Sequence, residues 1–103
     1  MACLALPAEA LAKRVLSYEY CGGTRGCGFV LTLRPHGETW LLEPAKESGK
    51  YGREGPALVF VTADEACVYE ALKGKKRSYS GVEICKNYEG KYAPVEHFSL
   101  RRV

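Results

Sequence analysis

The chain has 103 residues, 47% of them hydrophobic, and a formal charge of +3. That length suits a single domain, residues 1–103, with one core and little room for a deep enclosed active site. No apolar run approaches the ~20 residues of a membrane-spanning helix, and so mild a charge permits anionic partners without demanding them.

The opening "MACLALPAEALAKR" has no Lys or Arg ahead of its short apolar run, and Pro7 and Glu9 interrupt that run. It therefore reads as the start of a helix rather than a secretion signal. Pro7 suits the first helical position, and Leu11, Val15 and Tyr18 recur at three- and four-residue spacing, which predicts a helix from about Pro7 to Ser17. "CGGTRGCG" ends it, because a segment so rich in glycine sustains neither helix nor strand. Phosphate-binding glycine loops follow a strand and open a helix; here the order is reversed, so the segment reads as a connection.

"CGFVLTL" alternates, placing Cys27, Phe29, Leu31 and Leu33 on one face. "RPHG" is a turn and "ETWLLE" returns, so residues 27–43 predict a hairpin. "PAKESGKYGREGP", from Pro44 to Pro56, shows no periodicity and predicts a long mobile loop of the kind small domains keep for function. "ALVFV" follows as a short buried strand. Thr62 and Glu65 then form a capping-box pattern, Cys67, Val68, Ala71 and Leu72 an apolar stripe, and Lys73 and Gly74 a suitable exit. Together they predict a second helix. "KKRSYSG" is a basic turn, "VEICKNY" a strand with Glu83 and Cys85 on one side, and "VEHFSLRRV" a last strand, with Pro94 marking an edge or a late start. The predicted order is helix, three strands, helix, two strands: an α+β fold of about five mostly antiparallel strands.

The five cysteines, at 3, 21, 27, 67 and 85, are odd in number, widely spaced and without a C-x-x-C knuckle. They predict reduced thiols, no bound metal and a cytoplasmic protein. His36 and His97 are the candidate general bases, but no nucleophile elbow, H-E-x-x-H helix or spaced carboxylate pair accompanies them. No catalytic residue is assigned, and no cofactor is expected. Two segments suit binding instead. Lys50, Tyr51, Arg53 and Glu54 put an aromatic and charges on the central loop, the composition of a partner-binding anchor. Lys73, Lys75, Lys76 and Arg77, with Tyr79 beside them, combine phosphate-binding cations with a ring able to stack on a base.

Trp40 and Leu42, a charged glycine-containing loop, then Phe60, Asp64, Glu65, Ala66, Cys67 and Tyr69 form a pattern spanning about residues 27–73. It resembles small α+β immunity proteins of bacterial polymorphic-toxin systems. The resemblance implies a non-enzymatic protein that neutralises a cognate toxin protein by stoichiometric binding, without a cofactor. The alternative is a small RNA-binding protein or ribonuclease using residues 73–77. Neither reading fixes the oligomeric state.

Overall fold

The computed structural model describes residues 14–103. It contains eight antiparallel strands: β1 Leu16–Gly22, β2 Gly26–Arg34, β3 Thr39–Glu43, β4 Glu47–Glu54, β5 Ala57–Thr62, β6 Cys67–Lys73, β7 Ser78–Lys86 and β8 Tyr92–Arg102. Each pairs with the next, and β8 pairs back onto β1 with Tyr18 opposite Arg102, so the sheet closes into a barrel. The expected α+β fold of two helices and about five strands is thereby overturned.

The predicted first helix lies largely outside the described residues, but Leu16 and Ser17, at its expected end, are already strand. The second is the end of β5, a turn, and β6. "DEACVYEALK" satisfies both periods, and a helix this short needs packing to survive. Packing favours the strand: Tyr69 and Ala71 alternate into the barrel, where Tyr69 stacks on Phe60 at 4.7 Å between ring centroids. The supposed capping residues build the turn instead. Thr62 Oγ1 accepts from the Cys67 N–H at 3.0 Å, and the Asp64 carboxylate accepts from the Ala66 N–H at 2.9 Å.

The predicted loop from Pro44 to Pro56 is also corrected, since it consists of β4 and tight turns at either end. Its hydrophobic pattern is missing because its inward positions are Glu47, Gly49, Tyr51 and Arg53. At Gly49 the neighbouring strand supplies the missing bulk. The Trp40 indole reaches across it from β3 to donate from Nε1 to the Val61 carbonyl on β5 at 2.9 Å. A Cβ at Gly49 would stand 1.8 Å from that carbonyl oxygen, so only glycine fits.

An eight-stranded barrel has an interior just wide enough for side chains to fill. Here Tyr20, Leu31, Leu33, Trp40, Leu42, Leu58, Phe60, Tyr69, Phe98 and Leu100 occupy it. Tyr20 stacks on Phe98, with centroids 5.2 Å apart, and Trp40 meets Phe60 edge-to-face. The interior is a packed core, not a ligand cavity.

Two disulfides replace the expected reduced thiols: Cys21–Cys27 beside the β1–β2 turn, and Cys67–Cys85 between register partners on β6 and β7. The fold brings together cysteines that the sequence spaces apart. This removes the ground on which a reducing compartment was expected.

Candidate protein-binding surface and the two barrel ends

The turns alternate between the two ends of the barrel. One end carries the β1–β2, β3–β4, β5–β6 and β7–β8 turns; the other carries the β2–β3, β4–β5 and β6–β7 turns together with Arg14 and Arg102.

At the first end, Arg25 inserts between two strands' carboxylates. Its Nη2 donates to Glu47 Oε2 at 3.0 Å and lies 3.6 Å from Glu83 Oε2. The Tyr69 hydroxyl lies 2.8 Å from Glu47 and 3.0 Å from Glu83, donating its single proton to one of them. Burial, and then the Glu47 contact, push the Tyr69 hydroxyl well above the usual tyrosine range. Glu83 is only 5% exposed, so without Arg25 its charge would be stranded in the core. Both carboxylates are thus occupied as a brace, although their proximity was invisible in the sequence, where 36 positions separate them. Nearby, Glu96 accepts from the Thr24 hydroxyl and from its N–H, and these bonds hold its carboxyl below the usual range.

Just outside this brace, three surface hollows meet at one ridge. A hollow of about 440 Å³ runs from Arg25 and Lys46 past Ser48 to Asp64. A second, of about 470 Å³, lies between Arg34, Trp40, Ser48 and Lys50. A third, of about 390 Å³, lies between Lys50, Thr62, Glu65 and Tyr92. Ala63 borders all three, and Ser48 and Lys50 border two each. The ridge is held by the Ala63 N–H donating to the Ser48 carbonyl at 2.9 Å. Asp64, which accepts from the Ala66 N–H and then from the Thr62 hydroxyl, has its carboxyl held below the usual range and so presents a charge on the first hollow's rim.

The four residues predicted to bind a partner divide between the two faces of β4. Lys50 and Glu54 point outward, Lys50 onto this ridge with its Nζ 3.0 Å from the Gly37 carbonyl. Tyr51 turns inward against the core, and Arg53 turns toward the second barrel end, where its Nη1 donates to the Tyr79 hydroxyl at 3.1 Å. Of the predicted nucleic-acid set, Lys73, Arg77 and Tyr79 gather at that second end, around a cavity also lined by Arg53 and Arg102. Lys75 and Lys76 stand outside it on the turn, and Tyr79 is buried, so its ring is not available to stack on a base. His36, in the β2–β3 turn, and His97, on β8, are exposed. Sequence reasoning missed Ser48, Arg25 and Glu83. For Glu83 a signal was present: a carboxylate alternating onto one face of "VEICK" demands a cation if that face is buried.

Cys67, Cys85 and Glu83 place two sulfurs and a carboxylate oxygen within 4.8 Å of one another, but both sulfurs are engaged in the disulfide. Comparison with protein-family models, curated proteins and solved structures finds no match.

Proposed function

We propose that this is a non-enzymatic binding protein, a stoichiometric inhibitor that docks on another protein through the Ser48–Lys50 ridge. The carrying observation is the convergence of three hollows on that ridge, with Ser48 and Lys50 each bordering two of them. Interfaces place a few projecting anchors into partner pockets and receive partner side chains in return, and this relief suits both. A rigid, disulfide-tied barrel loses little conformational freedom on docking. The immunity-type reading agrees in kind: neutralisation of a cognate toxin protein by occlusion, with no cofactor. The α+β fold that the resemblance implied is not retained in this reading, and the two disulfides suit an oxidising compartment.

The test is a photo-crosslinking side chain at position 48, compared with one at Ser99, on the strand across the barrel. Capture of a single protein in equimolar ratio from position 48, and none from Ser99, is the expected result. Equal capture from both positions, or from neither, overturns the proposal. Lys50→Glu should abolish the capture without lowering Tm.

A further inference from the structure

At the second barrel end one cavity gathers positive charge. Arg14, Arg53, Lys73, Arg77 and Arg102 line a cavity of about 330 Å³, and no carboxylate among the described residues lines it. Its floor is made by Tyr18 and Tyr79, packed edge-to-face at 5.8 Å. Arg53 is fixed by donating to the Tyr79 hydroxyl. Arg102 lies with its guanidinium carbon 5.8 Å from the Tyr18 ring centroid, and its backbone N–H donates to the Arg77 carbonyl at 3.3 Å. The Arg102 Nε is buried and has no hydrogen-bond partner among the described residues. A buried donor of this kind is costly unless an acceptor reaches it. Cations gathered so closely also repel one another until an anion joins them.

From this arrangement we infer that the basic end is a binding site for a single phosphate group, free or carried as a small phosphomonoester. Arginine forks match the tetrahedral oxyanion with paired N–H donors, and two such forks, Arg53 and Arg102, are already oriented by tyrosines. Lys73 and Arg77 add charge at the rim. A nucleic-acid strand would need cations spaced along a groove and exposed rings. Here the cations converge on one cavity and the rings are buried to within 6% exposure. The site therefore reads one phosphate rather than a chain of them. It is separate from the Ser48–Lys50 ridge, so failure of either proposal leaves the other standing.

The experiment is calorimetric titration of the full chain with inorganic phosphate, with glycerol phosphate and with a single-stranded oligonucleotide, in low-salt buffer. One phosphate per chain is expected, with both small ligands competing for the same site. Binding of inorganic phosphate but not glycerol phosphate would assign the site to the free anion; the reverse would assign it to the ester. Arg53→Gln and Arg102→Gln should each weaken binding by roughly tenfold, the loss of a charge-assisted pair. Lys73→Gln, which removes an exposed side chain, covers the case in which Arg102→Gln disturbs folding, and should weaken binding severalfold. The Lys75→Gln, Lys76→Gln double variant should bind as wild type does. No heat with either phosphate ligand overturns the inference. So does loss confined to the Lys75, Lys76 variant, or oligonucleotide binding that phosphate does not displace.

Discussion

The two ends of this barrel use the same residue types to opposite effect. At one, Arg25 is neutralised by Glu47 and Glu83 and locked by Tyr69; at the other, Arg53, Arg77 and Arg102 line one cavity with two tyrosines, and no carboxylate among the described residues lines it. The first arrangement holds the strands together. The second leaves charge available to something outside the chain. The contrast shows that a composition of tyrosine, arginine and glutamate says little about role until topology decides which of them meet.

Alkaline titration should separate the ends most strongly. Burial raises the hydroxyls of Tyr20 and Tyr69 at the first end, where Arg25 and the nearby carboxylates oppose one another, and raises Tyr18 at the second, where Tyr79 adds to the rise and Arg102 and Arg53 pull it back. A raised folded pKa means stability that is complete below the unfolded tyrosine value of about 10 and is lost as pH rises beyond it. Cooperative unfolding above that pH is the expected outcome. In ultraviolet difference titration of Tyr→Phe variants, Tyr18 should ionise before Tyr69. The reverse order would mean that the burial of Tyr69 and its contact with Glu47 do not govern its ionisation.

Removing the brace should be the next largest effect. Arg25→Ala leaves Glu83 buried without its cation and should cost about 3 kcal/mol in urea denaturation, the scale of a broken buried pair. A loss much below 1 kcal/mol would show that the Arg25 network is ornamental. The smallest effect belongs to the other end. Arg77→Gln relieves repulsion among cations that the fold does not need, so Tm should rise slightly at low salt, with the gain vanishing as salt screens the cluster. A clear fall in Tm would mean that the Arg77 side chain has a structural partner after all.

Part of this was legible beforehand. The hairpin over 27–43 stands as read, with Leu31 and Leu33 buried and Phe29 packed against the core, because strict alternation leaves one solution. The strands expected over 82–88 and 95–103 exist with shifted bounds: β7 already begins at Ser78, inside the expected basic turn, and ends at Lys86, and β8 begins at Tyr92. The helix assigned after Thr62 failed because its residues serve either period, and closure of the barrel, a property of the whole chain, selected the strand. Strand β4 was hidden because Gly49 takes its bulk from Trp40 and because Glu47 and Arg53 point inward to opposite ends. The sites suffered similarly. Arg53 was singled out for a protein partner and Arg77 for nucleic acid, yet both border one cavity; Arg102 joins them only because β8 closes against β1.

The indole that bridges Gly49 makes the molecule optically self-reporting. Trp40 is the chain's sole tryptophan and 1% exposed, so its emission should lie toward the blue and originate from one environment. It also borders the hollow between Arg34 and Lys50. Occupancy of the ridge is therefore readable as quenching or a spectral shift without any attached dye. A ligand at the far basic cavity should leave that light unchanged, so one native fluorophore distinguishes the two surfaces.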